Sequence, residues 1–188
     1  MHHATFGDLR YVPDDLGWHG TCHLAEFAAY GRGSNCSLDD PSADFLRGDF
    51  PLLVRDPDGS GPSPAQADTL KFFLGNETDV CRAVMTALLE CFRETREPAR
   101  VWLEARRDSW LWGWLARRFP APHYRTIEDL KPEARCIEVE LADTVTDGYV
   151  ATGFTFVTAD CLDVEHGRAV VYHPVAGVYW GDGSALDA

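Results

Sequence analysis

Four residues able to bind a metal or move a proton fall within one short stretch: Asp160, Asp163, Glu165 and His166. Carboxylates and an imidazole on a tight connection can coordinate a divalent ion or act as an acid–base set. The plainer reading, and the favoured one, is a structural hairpin whose acids cap backbone amides and whose Gly167 supplies a left-handed turn. A second constellation, His19, Cys22, His23 and Cys36, has the residue types of a zinc site. Its spacing matches no common finger, and adjacent Cys22 and His23 on a strand face opposite ways. One buried thiol and two half-exposed imidazoles are expected instead. A third, residues 99–118, interleaves Arg100, Trp102, Arg106, Arg107, Trp110, Trp112, Trp114, Arg117 and Arg118. Such a helix can stack bases or hold an acidic ligand. The favoured alternative makes the tryptophans core and the arginines a solvated face.

No P-loop, dinucleotide fingerprint, nucleophile elbow or HExxH is present. The six cysteines are scattered without a CxxC pair, and no serine or cysteine has a context that marks a nucleophile. Reduced thiols and a cytoplasmic protein are expected, with no secretory leader in residues 1–8 and no apolar run long enough to span a membrane. The net charge is −13, and it is uneven. Residues 1–62 hold ten acids and four bases, residues 63–131 ten and eleven, and residues 132–188 ten and two. Acidic ends around a near-neutral middle disfavour nucleic acid, which needs Lys and Arg to displace counterions. They suit a basic protein partner.

The elements that would carry these groups fall into three parts of one 188-residue α+β domain. In residues 6–55, an antiparallel ribbon is expected from 6–12 and 18–24, turned by Pro13 to Gly17. Residues 25–30 extend it or form a helical turn. Short strands are read at 36–38 and 50–54, and an exposed loop over 56–62. In residues 63–131, Ser63 caps and Pro64 opens a helix. The stripe Leu70, Phe73, Leu74, Val80, Val84, Ala87, Leu88 and Cys91 divides into helices over 64–75 and 77–95, the second capped by Asn76. Pro98 ends that run, a further helix covers 99–118, and a short one begins at Thr126 and closes before Pro132. Residues 134–181 form a four-stranded antiparallel meander. Its first strand places Ile137, Val139 and Leu141 on one face, opposite Cys136, with Glu138 and Glu140 outward. Residues 143–148 turn the chain into 149–157. Strands 168–173 and 178–180 close the sheet.

The C-terminal text also carries a resemblance. Residues 147–156 (Asp-Gly-Tyr-Val-Ala-Thr-Gly-Phe-Thr-Phe), then 161–167 (Cys-Leu-Asp-Val-Glu-His-Gly), Val170 to His173 and 178–181 (Val-Tyr-Trp-Gly) resemble an uncharacterised bacterial domain family, a domain of unknown function. Its members read Asp-Gly-x-Ala-Tyr-x-Gly-hydrophobic-x-Phe and Trp-Asp-x-Glu-His-Gly. The helical text from Pro64-Ala65-Gln66 through Asn76-Glu77 to Phe92, and Glu128 to Pro132, follow the same family. Leu162 replaces its Trp and Ala169 its second Gly. No activity comes with the family, whose members look like small cytosolic proteins of bacterial genomes rich in toxin and immunity genes; the resemblance implies an accessory or antitoxin-like binder.

The expectation from all of this is a non-enzymatic acidic binding protein, of the immunity kind, that neutralises a cognate toxin by direct contact. It has no cofactor, metal or catalytic set. Its partner-binding residues are Asp160, Asp163, Glu165, His166, Tyr179 and Trp180. The alternative is a metal-dependent or acid–base enzyme centred on Asp163, Glu165 and His166.

Overall fold

The computed structural model describes residues 1–31, 47–106, 109, 114, 124–132, 134–157 and 168–181. Among these the chain forms β1 (His2–His3), β2 (Gly7–Asp8), β3 (Arg10–Val12), β4 (Gly17–His23), β5 (Asp49–Arg55), α1 (Pro64–Gly75), α2 (Glu77–Glu104), β6 (Arg135–Thr146), β7 (Tyr149–Val157), β8 (Arg168–His173) and β9 (Gly177–Gly181). The fold is α+β. Strands β3 to β9 make one seven-stranded sheet in chain order, and β1 and β2 pair separately. Every neighbouring pair is antiparallel except β5 and β6, which run parallel. A parallel pair needs a crossover, and α1 with α2 supplies it. The expected N-terminal ribbon and C-terminal meander are therefore fused into a single sheet through this seam.

The start of α1 follows from its sequence. Ser63 Oγ accepts from the Gln66 amide at 3.2 Å, and Gln66 Oε1 accepts from the Ser63 amide at 2.7 Å. This is a closed capping box with Pro64 at the first helical position. Gln66 Nε2 also donates to the carbonyls of Arg55 and Ala142, at 2.8 Å each. One buried side chain thus starts the helix and ties it across the parallel strands. Thr69 adds a second tie, donating to Ala65 O and accepting from the Val150 amide at 3.0 Å.

The helices break at Asn76 as the pattern predicts, but its side chain caps backward. Asn76 Nδ2 donates to Phe72 O at 2.8 Å, and only its carbonyl serves α2, accepting from Asp79 and Val80.

The core lies between the helices and one face of the sheet. Val80, Val84, Met85, Leu88, Cys91 and Phe92 of α2 are almost wholly buried. Phe154 on β7 is the hub: Phe27 stacks on it at 5.0 Å and Phe73 approaches at 5.2 Å. Each such side chain contributes about 1.5–3 kcal/mol by leaving water.

Several expectations are corrected. Pro98 does not end α2, which continues to Glu104. A proline forgoes one amide donor and costs about 3 kcal/mol in a helix, but here the preceding turns are anchored in the core. Beyond it, Arg106 stacks over Trp102 at 4.0 Å, supporting the last turn. Trp102 and Trp114 are exposed rather than core, while Trp110 and Trp112 lie outside the described residues. So does the strand expected at 36–38.

On β6 a bulge between Cys136 and Glu138 inserts one extra residue. Cys136 therefore joins Val139 and Leu141 in the core and Ile137 does not. β6 runs to Thr146, so the turn shrinks to Asp147-Gly148. Finally, Asp56 is not an exposed loop residue but a buried hub, 8% exposed. It accepts from Trp18 Nε1 at 2.8 Å, the Gly61 amide at 2.6 Å and Ser60 Oγ at 3.3 Å.

Candidate binding site

The face of the sheet away from the helices carries the charged groups. Its register is explicit. Arg10, His19, Leu53, Glu140, Gly153, Val171 and Tyr179 form one row across all seven strands. Leu53, Ala169 and Val171 on this face are buried. Glu140 is buried too, at 9% exposure, so it is outward from the helices but not solvated. The parallel seam explains this. It places Arg55 beside Glu140, and Arg55 Nε donates to the Glu140 carboxylate. Arg55 Nη1 donates to Asp15 O at 3.1 Å.

Two residues earlier on β6, Glu138 has its carboxyl raised above the usual range. Burial is the main cause, and the Glu140 charge adds to it, while His19 and Arg55 pull the other way. His19 Nε2 lies 2.8 Å from Asp15 Oδ2, without the alignment of a hydrogen bond.

At the end of this face β6 and β7 outlast their neighbours. The β5 pairing is last registered at Val54–Leu141, and β8 joins β7 only from Thr152. Beyond that the two strands run on as a hairpin closed by Asp147 and Gly148, both at positive φ (51° and 84°). Asp-Gly is the sequence such a two-residue turn favours, because glycine accepts the left-handed backbone without penalty.

His173 fastens the neighbouring β8–β9 turn to the hairpin. Its Nδ1 accepts from the Val175 and Ala176 amides at 3.2 and 3.0 Å. The ring proton is therefore on Nε2, which donates to Thr146 O at 3.1 Å.

Between these walls is a cavity of about 510 Å³ lined by Leu16, Arg55, Pro57, Glu140, Ala142, Asp143, Thr144, Thr146, Ala151, His173 and Tyr179. Ala142 and Ala151 offer only methyl groups, which leaves the space between Arg55–Glu140 on one side and His173 and Tyr179 on the other. Around it stand exposed apolar side chains, Leu16, Val175 and Tyr179, whereas exposed Val145 pairs with core Val150 and so belongs to the helix face. Exposed Asp14, Asp15, Asp58, Asp143 and Asp147 are interspersed with them.

No family model, curated protein or solved structure matches the chain.

The residues singled out from sequence divide. Tyr179 lines the cavity, whereas Trp180, its neighbour on β9, turns to the helix face and packs against the core. Asp160, Asp163, Glu165 and His166 lie outside the described residues, as does Cys36. His23 pairs with Asp49 at 2.9 Å, and Cys22 is buried. Burial pushes the Cys22 and Cys81 thiols up to about 12, and that of Cys136 upward as well. Protonated thiols are poor nucleophiles and poor ligands. Among the described residues no cluster of His, Cys, Asp and Glu is arranged to hold a metal ion, and no helix is long and apolar enough to cross a membrane.

Sequence reasoning missed Arg55, Glu140 and His173 as members of one site. Arg55 and Glu140 are 85 residues apart, and only the parallel register brings them together. His173 gave no local signal beyond its place on a strand.

Proposed function

We propose that this chain is a non-enzymatic acidic binding protein of the cytoplasm that engages a basic protein partner, in the manner of an immunity protein neutralising a toxin. The observation that carries the reading is the end of the sheet around the cavity. Exposed Leu16, Val175 and Tyr179 stand there among five exposed aspartates. Apolar anchors desolvate and hold a partner, and ringed carboxylates steer a basic one into register. The groups nearby that resemble catalytic machinery are engaged internally: Arg55 with Glu140, and both nitrogens of His173 with backbone.

The test is binding to the product of the adjacent gene, measured by calorimetry at low and high salt. Affinity falling roughly tenfold or more as salt rises supports the reading. The double substitution Asp58→Lys with Asp143→Lys, both at exposed positions of ordinary φ, should weaken binding further while leaving the fold intact. Binding indifferent to both would sink it.

A further inference from the structure

We infer that the cavity between the β6–β7 hairpin and β9 receives an arginine side chain of the partner. This rests on the reading above that the partner is a basic protein, and it names the group that partner inserts. The lining suits a cation because its nitrogen donors are engaged while the carboxylate of Asp143 keeps acceptor capacity to spare. Arg55 donates to Glu140 and to Asp15 O. The single ring proton of His173 goes to Thr146 O.

Asp143 accepts one bond inside the protein, from the Thr144 hydroxyl at 3.1 Å to Oδ1. Arg55 balances Glu140, so Asp143 sets the net sign of the lining as negative. Asp15 adjoins Leu16, Asp58 follows Pro57 and Asp147 follows Thr146, so the mouth is negative as well.

The opposite wall is Tyr179, 47% exposed. A planar guanidinium can stack on an aromatic ring while presenting two N–H groups to one carboxylate. A lysine ammonium offers neither the plane nor the fork. A cavity of about 510 Å³ has room for that head group with water.

The experiment is an NMR titration of the whole protein with N-acetyl-arginine amide, with the matching citrulline compound as the uncharged isostere. The expected result is saturable shifts confined to Thr144, Thr146, Ala151 and Tyr179 with arginine and none with citrulline, at concentrations on the order of 10 mM. Asp143→Asn keeps an acceptor for Thr144 and should weaken binding about tenfold. Tyr179→Ala should abolish the response and Tyr179→Phe should keep it. Both positions are exposed, so an unchanged spectrum elsewhere reports an intact fold. No saturable shift, or an equal response to citrulline, overturns the proposal. Partner binding and its salt dependence are read in a separate measurement. A cavity that ignores arginine therefore leaves the acidic surface standing, and an absent partner leaves the cavity result standing.

Discussion

The two faces of the sheet use polar groups in opposite ways. On the helix face polar side chains are few, and those that act as ties are bound to backbone: Gln66 joins two carbonyls across the seam, and Thr69 joins α1 to β7, while the Thr152 hydroxyl is without a partner. On the other face carboxylates crowd one another, and one of them, Glu138, is held against its preference for charge. The first arrangement fixes a single geometry. The second leaves negative charge gathered at one end, which stability does not require and which the proposed recognition of a basic partner would use. The difference teaches where substitutions should hurt folding and where they should touch only binding.

The sharpest way to break the comparison is Phe154→Ala. It removes the ring between Phe27 and Phe73 and should cost about 3–5 kcal/mol in denaturant unfolding, whereas Tyr179→Ala, on the other face, should stay within about 0.5 kcal/mol. Equal losses would mean the faces are not distinct. Next, Gln66→Ala should cost about 2–3 kcal/mol. It opens the capping box and leaves the Arg55 and Ala142 carbonyls without that donor.

Acid titration should separate Asp56 from Glu138. Burial alone would raise the Asp56 carboxyl. Bonds from Trp18, Gly61, Ser60 and Asp58 outweigh it and hold the group below the usual range, since it lies under a loop at the rim rather than deep inside. Its stabilisation is therefore complete above its unfolded value of about 3.9 and is lost as pH falls through the lower folded value. Asp56→Asn should flatten the acid limb of the stability curve.

Glu138 has the opposite sign. Its folded value is raised, so stability falls as pH rises from its unfolded value of about 4.3 through the folded one. Glu138→Gln should stabilise the protein at neutral pH and give no gain below about pH 4. The smallest effect is expected at Thr152, whose buried hydroxyl has no hydrogen-bond partner. Thr152→Val should gain about 1 kcal/mol or less.

Local signals were enough for much of the frame. Ser63-Pro64 marked the start of α1, alternation after Asp147-Gly148 marked β7, and Thr126 marked the short 3-10 turn Ile127–Leu130. What escaped was long-range or compensated. The bulge that returns Cys136 to the core changes no composition, only register. Pro98 is a breaker overruled by the anchoring of the helix before it. Asp56 reads as turn chemistry until Trp18, 38 positions away, is seen to donate to it. The cavity combines β5, β6, β7, β8 and β9, and no window of sequence contains it.

The parallel seam has a consequence for biosynthesis. Leu53 finds its neighbour Glu140 only after both helices have been made. The first three strands of the sheet must therefore wait, with the Phe50–Val54 edge unsealed, until the ribosome has released β6. Closure of such a distant contact is slow relative to helix formation. The helices are thus ready before the sheet they cover is complete, and the acidic hairpin can take shape only once β7 has emerged behind them.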